Sequence, residues 1–392
     1  MRRSGSLSID AVREKFRRIS LAVGLGVLLA SVFAIPASAA GEWEIQPTVN
    51  PEATQSFENV SCNTAGLCMA VGARSSGPLA EIWDGGEWKV VATSTGAKLN
   101  DVACIFGGVS ECGAVGSKSG QAWGQRWSKA TGLWTPMSTP APAGATSSEF
   151  LGAGCAPLLE TKLECLGVGT FSASGVDFPL AMRWETTTQK FVLLETPSEG
   201  EGSVLNDTSC NVVGSCVAVG YYLGSESQIP LAMHWDGSEW TIVSVPNSEA
   251  GGTDTRLNDV ACTGTAGPST RCIAVGVNEG GGARVAVGMY WNGEEWSEVA
   301  PEEPAGLEGD FAFHSVSCVS GSECYAVGEY EAGGATKTLI EEWDGLEWAP
   351  SSSPNPEGSS WSGLSGVSCV AASADCVAAG STESDTLAMH QE

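Results

Sequence analysis

Apolar and polar residues alternate along this chain in short runs, and the runs recur. In Leu205-Asn206-Asp207-Thr208-Ser209-Cys210, then Cys216-Val217-Ala218-Val219-Gly220, the period is two and the breaks are glycine-rich. Such runs predict strands. After residue 40 no segment carries a helical period. The same phrase, an apolar residue, two further residues, V-S/A-C, a short loop and C-x-A-V-G, begins again at Phe57 and repeats seven times. Its first cysteines are Cys62, Cys104, Cys155, Cys210, Cys262, Cys318 and Cys369, a mean spacing of about 51 residues. A second phrase follows most copies: Leu79-Ala80-Glu81-Ile82-Trp83-Asp84-Gly85-Gly86-Glu87-Trp88 is one example, and Trp235 to Trp240 another. Asp-Gly or Asn-Gly between aromatic and β-branched runs signals a hairpin turn that needs positive φ. Each unit therefore holds four strands: before the first cysteine, after the second, into the first tryptophan and out of the second.

Four antiparallel strands every fifty residues are a propeller blade. The expectation is an all-β, seven-bladed β-propeller of four-stranded antiparallel blades spanning residues 41–392. The last unit stops at Thr386-Leu387-Ala388-Met389-His390-Gln391-Glu392, where a Trp-Asp-Gly turn is due, and Gly41-Glu42-Trp43 supplies the missing half. An N-terminal strand completing the last blade closes the ring and removes an open sheet edge. A linear β-solenoid leaves both partial units unexplained.

Residues 1–40 read differently. A basic opening (Arg2, Arg3, Arg13, Lys15, Arg17, Arg18), an apolar run from Leu21 to Ile35 and Pro36-Ala37-Ser38-Ala39-Ala40 are the three parts of a secretory signal peptide. The alternative is an uncleaved anchor, for which the run is short against the roughly 20 residues of a span. Arg17-Arg18 leaves Sec and Tat export both open. The expected product is secreted or extracellular, with no membrane span after cleavage.

The net charge is −27; cleavage would leave 13 Lys+Arg against 44 Asp+Glu. So acidic a surface excludes nucleic acid and anionic lipid as partners. It is compatible with cations, basic proteins and neutral glycans, and also serves solubility alone.

The fourteen cysteines fall into local pairs: Cys62 with Cys68, Cys104 with Cys112, Cys155 with Cys165, Cys210 with Cys216, Cys262 with Cys272, Cys318 with Cys324 and Cys369 with Cys376. Each brackets the turn between a blade's first two strands, where cross-strand sulfurs come within bonding range. Zinc sites use tighter pairs in combination. Seven disulfides leave no thiol nucleophile.

Most of the tryptophans occupy the two fixed repeat positions and are read as packing. Trp361, in Ser359-Ser360-Trp361-Ser362-Gly363, lies outside the repeat and is the aromatic candidate for binding. His234 and His390 share a repeat position that elsewhere holds Ile82, Arg126, Arg183, Tyr290 and Glu342, a varied strand surface. His314 stands alone and joins the ligand-binding candidates. The repeated polar pairs Asn100-Asp101, Asn206-Asp207 and Asn258-Asp259, with Glu58-Asn59 equivalent, are placed just ahead of the inner strands, as a partial ring at the mouth of the central channel. Oxygen ligands in a ring suit Ca²⁺; the competing reading is that Asn and Asp start strands by bonding local backbone. No other cofactor, and no catalytic residue, is assigned. The long, dissimilar segments (246–256, 301–312, 354–363, 224–228, 278–284 and 331–336) fall on one face of the disc, where binding is expected.

The blade pattern over 41–392 resembles the kelch and galactose-oxidase-like propellers and the repeat-rich secreted propellers of actinobacterial chains, at the level of fold. The kelch double glycine is missing, with Ala-Val-Gly in its neighbourhood. Oxidase chemistry of that family needs tyrosines and histidines at copper, and Tyr221, Tyr222, Tyr290, Tyr325 and Tyr330 form no such set. Two function classes follow. One is a monomeric, non-catalytic extracellular binding or scaffold module whose partner is a protein or glycan. The other is a lectin or carbohydrate-active enzyme using loop-face carboxylates and Trp361.

Overall fold

The computed structural model describes residues 41–391, apart from 64–65, 106–110, 157–163, 186–187, 249–251 and 280. The leader assigned to residues 1–40 lies outside the described residues. All 28 described elements are strands, and they form seven four-stranded antiparallel sheets. Blade 4 is typical: an inner strand Ser203–Val212, then Ser215–Leu223, Gln228–Trp235 and an outer Trp240–Val243. Blade 7 joins Ser362–Cys369, Cys376–Thr382 and Thr386–Gln391 to the N-terminal strand Glu44–Gln46. Its register is Glu44 to His390, Ile45 to Met389 and Gln46 to Ala388. Gln391 Nε2 donates to Gly41 O at 2.8 Å, and buried Trp43 packs edge-on to Tyr325. The strand-exchange closure read from the sequence is therefore formed.

Blades adhere through apolar faces. Leu166, Val168 and Ala181 of blade 3 pack against Leu205, Ala218, Leu231 and Met233 of blade 4. At about 1.5–3 kcal/mol for each fully buried large side chain, these interfaces hold the ring together. The two repeat tryptophans flank the outer hairpin as cross-strand partners: Trp235 and Trp240 lie 5.6 Å apart between ring centroids, and Trp83/Trp88, Trp291/Trp296 and Trp343/Trp348 repeat the pair. Between them Gly237 takes φ 94°. Asp236 accepts from the Ser238 and Glu239 amides, so the Trp-Asp-Gly acids are turn residues.

All seven local cysteine pairs are bonded: Cys62 to Cys68, Cys104 to Cys112, Cys155 to Cys165, Cys210 to Cys216, Cys262 to Cys272, Cys318 to Cys324 and Cys369 to Cys376. Their Cα–Cα distances are 3.9–4.1 Å, and no cysteine is free. Each bond links directly paired residues of the first two strands, as in the register of Cys210 opposite Cys216.

Every inner strand also carries a β-bulge at one fixed place, visible as a register shift across Glu58, Asn100, Leu151, Asn206, Asn258, His314 and Ser365. The bulge pushes an inner-strand carbonyl against the second strand, and there the sequence has the glycine of Ala-Val-Gly. A Cβ on Gly220 would overlap Val204 O, and one on Gly276 would overlap Arg256 O. Bulge and glycine are thus one device.

Candidate functional site

Two places in the ring gather polar side chains: the central channel and the face carrying the connectors between blades.

The channel is a cavity of about 540 Å³ running from Asn59, Asp101, Asp207 and Asp259 to the cysteine ends of the inner strands. The predicted Asn-Asp pairs lie at the bulges inside those strands, not ahead of them. The extra residue turns the two side chains to different tasks. The asparagines reach forward: Asn100 donates to Phe150 O, Asn206 to Leu257 O and Asn258 to Phe313 O, each at 2.7 Å. The aspartates face the channel and accept backbone N–H groups of the next blade. Asp101 Oδ2 takes Ala153 N (2.5 Å), and Asp259 Oδ2 takes Val316 N (2.9 Å). Their other oxygens take the N–H of the residue that follows them, Val102 and Val260. Gly152 and Gly366 hold this position in blades 3 and 7, where a Cβ would collide with Asp207 and Asn59 of the following blade. A lower tier repeats the scheme: Ser61, Ser209, Ser317 and Ser368 accept from the amides of Cys104, Cys262, Cys369 and Cys62. These bonds all run from one blade to the next.

The disulfides divide across the channel wall. The inner-strand cysteines Cys104, Cys155, Cys210, Cys262, Cys318 and Cys369 border the cavity. Their second-strand partners Cys112, Cys165, Cys216, Cys272, Cys324 and Cys376 stand behind them, buried, and so does Cys68. Those second cysteines line neither the channel nor the groove described below. All fourteen are staples of the scaffold, and none offers a thiol to a ligand.

Burial, opposed by N–H groups that favour the ionised form, pushes the Asp101 carboxyl up to about 8. Burial, then the charge of Asp259, raises Asp207 as well. The side chain of Asp259 beside it adds to that rise. Among the described residues no three His, Cys, Asp or Glu side chains are grouped so as to hold one metal ion.

On the connector face the structure brings Trp361 and His314 to one neighbourhood. Glu329, largely buried, accepts from Arg284 Nη2 at 3.1 Å and lies 3.8 Å from His314 Nε2; Arg284 Nε also pairs with Asp310 at 2.8 Å. A Cβ on Gly363 would lie 2.8 Å from Glu329 Oε2 and 3.3 Å from the Trp361 indole, so carboxylate and ring edge border the same point. The half-buried Trp361 is held by Glu383, whose Oε1 accepts the Ser360 and Trp361 amides at 2.6 and 2.9 Å and whose Oε2 accepts Ser359 Oγ. The bond from Ser360 Oγ and its companions hold Glu383 down at about 2. His314 and Arg284 hold Glu329 below the ordinary carboxylate range. Next to this loop a groove of about 460 Å³ is lined by Gln46, Thr48, Asn50, Ser359, Glu383 and Thr386, among others.

Sequence reasoning singled out Trp361 and His314 but not the side chains beside them, Glu329, Arg284, Asp310 and Glu383. Those four stand at positions where nothing repeats, so no spacing marks them.

Channel, bulged inner strands and N-terminal closure define the class: a seven-bladed β-propeller. Among solved structures the chain is similar to YCF48 from Cyanidioschyzon merolae, with a TM-score of 0.52 and 14% identity over 89% of this chain and 98% of that one. At that identity the likeness is one of fold. No protein-family model matches the sequence, and no curated protein matches it.

Proposed function

We propose that this chain is a secreted, non-catalytic binding module that takes its ligand on the connector face, around Trp361, once residues 1–40 have been removed. The observation that carries the reading is the convergence of Arg284 from blade 5, His314 and Glu329 from blade 6 and Trp361 from the connector into blade 7. A loop pinned by Glu383 presents the indole there. A site ordered before the ligand arrives binds without the cost of ordering it. The seven disulfides suit an oxidising compartment. Among the described residues no helix is long and apolar enough to cross a membrane. Any kinship with kelch and galactose-oxidase-like propellers belongs to this proposal as a matter of fold.

A glycan is the second reading, favoured by an indole edge beside carboxylates and a groove of hydroxyl and amide groups. Its enzymatic form is weaker. Glycoside hydrolysis needs one carboxyl that keeps its proton near neutrality, whereas Glu329 and Glu383 are both held low.

The test is retention of the oxidised protein, residues 41–392, on insoluble polysaccharides and on immobilised extracellular proteins, with Ca²⁺ or with chelator. Wild type and Trp361→Ala are compared, and supernatants are assayed for sugars. Retention that Trp361→Ala lowers about tenfold supports the site. Loss of retention in chelator assigns Ca²⁺ a role. Release of sugars overturns the non-catalytic reading, and retention indifferent to Trp361 overturns the site.

A further inference from the structure

The third strand of each blade carries a residue, two places before the first repeat tryptophan or, in blade 7, before Gln391, that points into the interface with the preceding blade. Four blades fill it with methionine: Met182, Met233, Met289 and Met389, all fully buried. Blade 2 has the neutral amide Gln125, and blades 1 and 6 place Glu81 and Glu341 there, all three with no exposure. The strand neighbours of the acids are Ala70 and Val90 for Glu81, and Ala326 and Pro350 for Glu341. Among the described residues no cation balances either one.

Each glutamate uses one oxygen in the same way. Glu81 Oε2 accepts the Val49 amide and Glu341 Oε2 accepts the Glu302 amide, both at 3.2 Å. Val49 and Glu302 occupy matching places: each lies just beyond a preceding blade's outer strand, on the connector into the glutamate's own blade. The second oxygens, Glu81 Oε1 and Glu341 Oε1, are buried without a partner. A buried oxygen without a donor suits a protonated carboxyl and penalises a carboxylate. Two blades with the same arrangement argue for a device. Methionine in four others shows that packing does not require the acid.

We propose that Glu81 and Glu341 are proton-operated clasps that fix the connectors entering blades 1 and 6 while neutral and release them when ionised. An ionised carboxylate inside an apolar interface must reach water, and the connector is what stands between it and solvent. The groups facing each acid are few. Glu341 meets the Glu302 carboxylate, whose negative charge opposes ionisation, and Glu81 meets only the Val49 amide. Burial raises the two to about 7 for Glu81 and about 8 for Glu341, so the transition falls near neutral pH. The connector into blade 6 ends at Asp310, the partner of Arg284. Its release therefore loosens one wall of the neighbourhood of His314 and Glu329.

The experiment is hydrogen exchange of the full oxidised chain between pH 6 and 9, corrected for the intrinsic pH dependence of exchange, read at segments 47–54 and 299–310. In wild type, protection of both is expected to fall about tenfold across that range, while the disulfide-linked inner hairpins stay unchanged. Glu341→Gln, which keeps the acceptor and cannot ionise, should hold 299–310 protected at every pH and leave 47–54 still sensitive. Glu341→Met should remove the pH dependence of 299–310 and lower its protection uniformly. Constant wild-type protection, or a Gln variant that still loosens with pH, overturns the proposal.

Discussion

Replacing Asp101 by alanine removes the acceptor of three donors at once: Val102 N–H in its own strand, Ala153 N–H in blade 3 and Asn59 Nδ2 in blade 1. Each buried donor left unsatisfied costs about 1–3 kcal/mol. The cavity can admit water, which restores part of that for Asn59 and Ala153 at its wall. Relief of a desolvated acid offsets some of the remainder, which leaves a net loss of about 2–4 kcal/mol. A ring of this length has an unfolding entropy of about 0.7 kcal/mol per degree, so the midpoint should fall by about 3–6 °C. Asp101→Asn keeps the Val102 bond, as Asn59 does with Val60, and should lose about half as much. The deficit should shrink at pH 9, where wild-type Asp101 is itself ionised. Differential scanning fluorimetry of the oxidised protein at pH 6 and pH 9 reads all of this. A shift below about 1 °C for alanine at pH 6 would show that the channel bonds do not hold blades together, and the account of the Asn-Asp pairs would fall.

Three further outcomes follow. Glu81, Asp101 and Glu341 have native pKa values above those of the unfolded chain. Their contribution is therefore whole below about pH 4 and is lost as the pH rises through about 7–8. Glu383 and Asp236, both held near 2, contribute above about pH 4 and lose that contribution as the pH falls toward 2. Urea midpoints should therefore peak near pH 4 and decline until about pH 8, and a midpoint still rising at pH 9 would contradict this. Gly220→Ala drives a methyl into Val204 O and should cost about 2–4 kcal/mol or prevent folding, with soluble yield and denaturant midpoint as the readout. Replacing Cys210 and Cys216 together by serine should cost about 2 kcal/mol, checked by urea melts beside peptide mapping of the six remaining pairs.

The features legible in the sequence were those that repeat along it. Seven cysteine pairs, Trp-Asp-Gly turns and a half-blade at each end gave strand count, turn places and closure, because each is a local pattern with one geometric meaning. The bulge was marked by the Asn-Asp pairs and the Val-Gly that follows, yet the sequence reading set those pairs ahead of the strand. Their partners, such as Phe150 O for Asn100, lie on another blade some fifty residues away, and no local pattern encodes them. Glu81 and Glu341 were discoverable as acids in a methionine column. Arg284, Asp310 and Glu329 were not: their ion pairs depend on how a unique connector folds.

The closing seam has a mechanical consequence. Gly41 and Gln391 sit side by side, and the strands leading from them run antiparallel. A force pulling the two ends apart would load the pairs of that seam one after another, as in a zipper, and not all together. Every disulfide lies within a single blade, so no covalent link shares the load between blades. Cohesion that is cooperative in solution thus becomes sequential under tension, and the ring would open first where its ends meet.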